Sequence, residues 1–306
     1  MTVRMSAEVA RALDAGAAVV ALESTLICHG FPRPDNLALA EEIEMAVRSA
    51  GAVPATTAVM EGDLKVGLTR EELRLLASSA NVVKCSARDL PVALVHGGLG
   101  ATTVAATLAI AARAGIRVMA TGGFGGVHRG GERSLDVSAD LDQLARSPVA
   151  VVCSGAKSIL DLPRTMERLE TIGVTVVGFG CSELPGFYTS GTGLPVPRID
   201  TVSNLCRLLE AQRNLGLPGA VVVAQPPPAE LALDRTTADH LLRGAEEAAC
   251  LAGIHGPSLT PFLLRWMAEQ SAGATVKLNR ALVLANARLA ARVAVMLADP
   301  GATRNP

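Results

Sequence analysis

Short apolar runs rich in Val, Ile and Ala alternate along this chain with longer segments of helical period, and that alternation sets the fold class. The runs fall at 18–22, 53–59, 82–84, 92–95, 117–120, 149–153, 175–178 and 220–223. The helical pattern occupies 37–50, 70–79, 102–114, 138–146, 156–172, 201–216, 234–253, 259–270 and 277–297. Strands that are apolar on both faces need cover on both sides, and parallel pairing needs a crossover. The expectation is a three-layer α/β/α fold with a largely parallel central sheet. Thr69 followed by Glu72 reads as a capping box at the second helix. No repeat or low-complexity tract interrupts the pattern. Pro226, Pro227 and Pro228 turn the chain into a helical tail expected to pack on the same core. Residues 1–306 therefore read as one domain, frayed at about 299–306.

Charge excludes several function classes. Lys and Arg number 28 against 29 Asp and Glu, a formal net charge of −1, so the chain lacks the basic surplus of a nucleic-acid-coating protein. Only 2% of residues are aromatic, which excludes base-stacking platforms. Any base-like ligand must meet polar edges and aliphatic walls, with Phe124, Phe187 and Tyr188 as the rings available to help. No run reads as a membrane span, because the longest, at 17–22 and 220–224, are strand-length. Arg4, Glu8, Arg11 and Asp14 recur at helical spacing, unlike a secretory signal. The six cysteines form no CxxC or CxxH pair, so reduced thiols in a cytoplasmic protein are expected and a structural zinc is not.

In a sheet of this kind ligands collect where strands end, and chemically useful residues cluster there. Glu23 follows the first run. A carboxyl in such apolar surroundings is a candidate general acid or base, or else a buried cap for a backbone amide. Lys84 follows Val82 and Val83 at the end of the third run, as an anion ligand or as an ion-pair partner of Asp89. Thr121 opens a glycine-dense stretch that reaches Gly130. Gly97-Gly98-Leu99-Gly100-Ala101-Thr102-Thr103 leads into a helix whose amides can hold an anion, though it is neither a Walker loop nor a dinucleotide fingerprint. Lys157, in Ser154-Gly155-Ala156-Lys157-Ser158, is a candidate Schiff-base amine if partly desolvated, and otherwise a surface lysine near a helix start. Ser138 reads as a helix N-cap with Asp140 and Asp142 in the first turn. Asp136, just outside that helix, is the better candidate for a hard cation held by one carboxylate and water. His128 is a candidate neighbour of that ligand, although a lone histidine is more often structural. Cys28 and His29 are not expected to form a dyad, because adjacent residues in an extended segment face opposite ways.

Taken together, five segments resemble the pseudouridine-5'-phosphate glycosidases, also called the indigoidine synthase A-like family. They are Glu23-Ser24-Thr25-Leu26-Ile27-Cys28-His29-Gly30-Phe31-Pro32, Lys84-Cys85-Ser86-Ala87-Arg88-Asp89-Leu90, Gly100-Ala101-Thr102-Thr103-Val104-Ala105-Ala106-Thr107, the stretch 121–130, and the stretch 151–161 around Lys157. The resemblance spans about residues 7–297 in order. It implies reversible cleavage of pseudouridine 5'-phosphate to uracil and ribose 5-phosphate, with a divalent metal, usually Mn²⁺. It implies Lys157 as the nucleophile, Glu23 as proton donor, and Lys84, Val104, Ser138, Ala139 and Asp140 as substrate-binding positions. It also implies Asp136 as the metal ligand, and a homotrimer with its sheet sandwiched by helices. Thr121, His128 and Asn279 are further candidates for the site. Cys28, Cys181, Ser182 and Arg280 depart from the family pattern, which bears on base or sugar specificity.

The residue types suit the reaction. The bond to break is C–C, so the paired carboxylates that protonate an ordinary glycosidic oxygen do not help. An imine to the opened sugar supplies an electron sink, and a carboxyl can manage the proton at the uracil carbon. An aldolase-like enzyme on another sugar phosphate, or a sugar-phosphate sensor that has lost turnover, would use the same pocket.

Overall fold

The computed structural model describes residues 3–254 and 259–299. The expected frayed end therefore lies, beyond Asp299, outside the described residues. The strands among the described residues are β1 (Val3–Met5), β2 (Val19–Leu22), β3 (Val53–Met60), β4 (Asp63–Val66), β5 (Val82–Cys85), β6 (Leu99–Thr102), β7 (Val118–Ala120), β8 (Ala150–Cys153), β9 (Thr175–Phe179), β10 (Arg198–Ile199) and β11 (Val221–Ala224). The helices are α1 (Ala7–Asp14), α2 (Asp35–Ser49), α3 (Arg70–Ser78), α4 (Leu90–His96), α5 (Val104–Ala114), α6 (Gly131–Ser134), α7 (Ala139–Leu144), α8 (Leu162–Thr171), α9 (Val202–Asn214), α10 (Arg235–Leu251), α11 (Leu259–Gln270) and α12 (Ala274–Ala298).

A parallel row β3-β2-β7-β8-β11-β9-β10 forms the middle of the sheet. Its central strands β2, β8 and β11 are buried at every residue, because helices cover both faces. α2, α9 and α12 pack together on one face, while α5 and α7 pack together across the other. β3 divides its pairing. Val53, Pro54, Ala55 and Thr56 pair in parallel with β2, whereas Thr57, Ala58, Val59 and Met60 pair antiparallel with β4. β6 also joins β3 antiparallel and carries β5 beside it in parallel. The sheet is thus mostly parallel with an antiparallel wing, and the wing places Lys84 near the end of β2. One hydrophobic cluster runs from Val9 to Ala294 and takes in residues of α10, α11 and α12, so the helical tail shares the core of the sheet.

Where expectation and structure differ, the causes are local. Residues 92–95 are not a strand but part of α4. Pro91 sits in its first turn, Gly97 ends it in the left-handed region, and Val92 and Val95 are exposed. The helix expected from 156 begins only at Leu162, where Asp161 caps the Arg164 amide and Pro163 enters the first turn. Lys157 therefore stands in the turn before that helix. β1, β4, β6 and β10 escaped the pattern because they are short and glycine-bearing or partly exposed. α12 is long and apolar enough to cross a bilayer by length and composition, contrary to the sequence reading. Half of its most apolar stretch is buried, and it packs on α2, α9, β2, β7 and β8. The capping box at Thr69 and Glu72 is present as expected.

Below the end of β2 lies a cluster of four fully buried hydroxyls, Ser24, Thr57, Thr102 and Thr107. Thr102 Oγ1 donates to the Thr57 carbonyl at 2.8 Å and lies 2.8 Å from Thr57 Oγ1, 3.1 Å from Thr107 Oγ1 and 3.2 Å from Ser24 Oγ. The Thr102 amide donates to Ser24 Oγ at 2.9 Å. The cluster ties the turn carrying Glu23 to β3, β6 and the first turn of α5. Thr102→Val keeps the shape but leaves its buried partners short of a hydrogen bond. A loss of about 1–3 kcal/mol is expected, read as a lower midpoint in urea unfolding with unchanged slope.

Candidate active site

The strand ends deliver the site. Glu23 leaves β2 and Thr121 leaves β7, and β2 and β7 are neighbours in register. Thr121 Oγ1 donates a short hydrogen bond to Glu23 Oε1. Lys157 follows β8, the next strand, held by its amide to the Phe124 carbonyl at 3.1 Å. Gly155 makes this turn feasible: its φ is +86°, and a Cβ there would stand 2.3 Å from the Pro185 carbonyl oxygen. Lys84 enters from β5 on the antiparallel wing.

These groups line one cleft together with Asn279 of α12. Leu26, Pro261, Leu264 and Phe187 give it apolar walls, and Thr25, His29 and Thr260 add polar edges. A wider surface groove lined by Arg129, Ser158, Asp161 and Arg235 holds none of the carboxyl and lysine set, so the chemistry belongs to the smaller cleft.

Glu23 is buried, and desolvation raises its pKa above the ordinary carboxyl range against the opposing pull of Lys157, the Thr121 hydroxyl and Lys84. The pKa of Lys84 is lowered, first by desolvation and then by repulsion from Lys157, with Asp140 and Glu23 opposing. Two lysines and one buried carboxyl thus share one space. Desolvation and Lys84 also lower the pKa of His29, against a hydrogen bond to the Val82 backbone.

Of the expected substrate-binding residues, Lys84 lines this cleft, while Val104, Ser138, Ala139 and Asp140 gather next to it. Asp140 is buried, and its two carboxylate oxygens accept the Ala105 and Gly125 amides, each at 2.8 Å. It clamps the first turn of α5, where Val104 lies, to the glycine-rich turn. Ser138 caps α7 by accepting the Asp140 amide at 3.2 Å, and Ala139 begins that helix. Asp136 is partly exposed and faces His128 Nδ1 at 4.0 Å. Among the described residues, no three His, Cys, Asp or Glu side chains converge as a metal cage. A lone carboxylate completed by water suits a hard divalent ion of the Mg²⁺ or Mn²⁺ type, so the donor set fits that class and no softer one.

Other expectations need correction. Asp89 does not pair with Lys84. It pairs with Arg88 at 3.4 Å and accepts the Ser86 amide. Cys28 and His29 lie on a π-helical turn, Leu26–Gly30, and not in an extended segment. They still part company, because the Cys28 thiol points to the Leu76 carbonyl and burial pushes its pKa up to about 12. Of the three rings, only Phe187 lines the cleft. Phe124 is fully buried in the core, and Tyr188 is buried edge-on against Phe187 at 4.8 Å. Arg280 pairs with Glu42 of α2, and Cys181 contacts the Ala224 carbonyl, so neither lines the cleft. Sequence reasoning missed Thr25, Leu26, Thr260, Pro261 and Leu264, whose only signal was adjacency to Glu23 or a helix start.

The family profile described as "Indigoidine synthase A like protein" matches residues 8–296. The chain belongs to the indigoidine synthase A-like family. Among family members, a pseudouridine-5'-phosphate glycosidase of Jannaschia sp. is 50% identical, covering 94% of this chain and 96% of its own. One of Caldanaerobacter subterraneus subsp. tengcongensis is 48% identical, covering 96% of both. Among solved structures, the prealnumycin C-glycosynthase AlnA in complex with ribulose 5-phosphate superposes with a TM-score of 0.91 at 41% identity, over 97% of both chains. An indigoidine synthase A-like protein of Thermotoga maritima gives 0.85 at 35% identity, over 93% of this chain and 94% of that one.

The raised pKa of Glu23 has a consequence for stability. The folded chain keeps this proton at pH values where the unfolded chain, near 4.5, has lost it. The contribution of this group to stability is therefore full below about pH 4.5 and declines as pH rises through the folded value. Glu23→Gln removes the decline while keeping an acceptor for Thr121. The variant is expected to melt above the wild type at pH 8, with the gap closing toward pH 4, as read by calorimetry.

Proposed function

We propose that this chain is a pseudouridine-5'-phosphate glycosidase that cleaves the C–C bond between uracil C5 and ribose C1' through a Schiff base on Lys157. The observation that carries the reading is a buried carboxyl, hydrogen-bonded by Thr121 and raised in pKa by desolvation, in the same cleft as two lysines. The names of the relatives and the sugar-phosphate complex of AlnA support the substrate class.

The chain's own groups fit each step. The unprotonated Lys157 amine bonds to C1', and the ring oxygen leaves as the 4'-hydroxyl with the proton the amine gives up. The nitrogen lone pair then forms the C=N bond as the C1'–C5 bond breaks. Its electron pair goes to C5, which takes the proton of Glu23 and leaves as uracil. Water adds to the imine, ribose 5-phosphate departs as the aldehyde, and a proton returns to Glu23. Lys84 and the first turn of α5 at Val104, with Ser138, Ala139 and Asp140 beside them, receive the phosphate. Asn279 Oδ1 is buried without a protein partner and suits an N–H of uracil. Thr121 orients Glu23, and Asp136, with His128 beside it, would hold the Mn²⁺. When bound, the ion would supply positive charge and ordered water to the site. The same reading carries a cytoplasmic homotrimer.

Uracil release from pseudouridine 5'-phosphate, followed by absorbance, tests the activity. Lys157→Ala is expected to fold normally and release no uracil. Borohydride should attach ribose 5-phosphate to wild-type Lys157, located by peptide mass, and leave the variant unlabelled. An adduct without uracil release would favour the aldolase-like reading. Asp136→Ala is expected to weaken Mn²⁺ binding in a calorimetric titration and to raise the Mn²⁺ needed for half-maximal turnover at least tenfold.

A further inference from the structure

The geometry points to Asn286 of α12 as the positioning residue that sets the separation between the proton donor and the Schiff-base lysine. Its side chain is fully buried. Nδ2 donates to the Thr121 carbonyl at 3.0 Å and to Ser154 Oγ at 3.1 Å, and Oδ1 lies 3.5 Å from the same hydroxyl. One amide thus grips the first residue after β7 and the first residue after β8.

Each gripped residue controls a reacting group. Thr121 bonds Glu23 through its own hydroxyl. Ser154 starts the turn that ends on Lys157 three residues later, and its carbonyl accepts the amide of Phe187, the ring that lines the cleft. The Ser154 amide also donates to the Gly122 carbonyl at 2.9 Å, closing the two strand ends on each other. α12 presents this contact on a stripe. Asn279, Leu282, Val283 and Asn286 recur at helical spacing and share a face. Leu282 and Val283 lie against Gly122, and a Cβ there would meet Val283 at 3.0 Å. Asn279 reaches the cleft at one end of the stripe, and Asn286 reaches the backbone behind it at the other.

An apolar residue would pack in this stripe as well as its neighbours do, so burial alone does not call for an amide. The amide instead meets a carbonyl and a hydroxyl that face α12 at the strand ends. Without it, the Thr121 and Ser154 turns lose their common tether, and Glu23 and Lys157 can drift apart by fractions of an ångström. Displacement of that size costs proton transfer far more than it costs substrate binding.

This inference rests on the glycosidase reading, and the experiment separates the two. Active sites are counted first, by borohydride trapping of ribose 5-phosphate on Lys157. Uracil release is then expressed per trapped site. Asn286→Leu is expected to lower kcat per site by tenfold to a hundredfold, to leave KM within about threefold, and to shift the alkaline limb of the pH profile, since Glu23 loses its fixed neighbour. Ser154→Ala removes the same contact from the other end and should show the same split, which keeps the test decisive if Asn286→Leu folds poorly. Asn286→Gln, which retains the amide, should recover part of kcat. Arg280→Ala, on the same helix but paired outward with Glu42, should leave kcat unchanged. If the wild type turns over and Asn286→Leu and Ser154→Ala match it per trapped site, Asn286 is a packing residue and the inference is overturned. If the wild type releases no uracil, the glycosidase reading itself has failed.

Discussion

A carboxyl group walled off from water is costly to ionise, and Glu23 occupies such a place at the end of the central strand β2. Everything near it serves to keep it dry and still. The hydroxyl cluster beneath fixes its turn to three other elements. Thr121 holds one of its oxygens. The helices on both faces exclude water from the strands that lead to it. Two lysines nearby pull the other way, since each favours the carboxylate. Burial prevails in that contest, and the carboxyl's pKa stands above its ordinary range.

The antiparallel wing has a related purpose. A purely parallel sheet would bring to the site only residues from strand ends in one row. β3 instead continues past β2 and pairs with β4 and β6, and β6 brings β5 with it. Lys84 therefore approaches Glu23 and Lys157 from the side.

Much of this was legible in the sequence, and the limits follow distance. The buried strands announce themselves by unbroken apolar runs, and Glu23, Thr121 and Lys157 by their places after them. Lys84 and Asp136 rested on resemblance as much as on pattern. The short strands of the wing were not readable, because β6 carries Gly100 and looks like a loop, and β4 has only Leu64 and Val66 buried. The 92–95 run misled because Val is scored as a strand former wherever it occurs, while Pro91 and Gly97 decided the outcome locally. Asn286 and the cleft-lining residues of α11 lay out of reach, since each meets the site only after the helices fold back across the sheet. The departures at Cys28, Cys181 and Arg280 now have ordinary places, against the Leu76 carbonyl, against the Ala224 carbonyl and in an ion pair with Glu42.

The hydrogen bond from Asn286 to Thr121 spans 165 residues of chain. During synthesis, β7 leaves the ribosome long before α12 is made. The strands can pair and bury much of their surface in that interval, but the face that α12 covers stays open and its carbonyl at Thr121 stays hydrated. Catalytic competence is therefore a late event in the life of each molecule, reached only when the helix docks. A nascent or prematurely terminated chain would present an apolar sheet face to its surroundings, a target for chaperones, while lacking the geometry to act on a sugar phosphate.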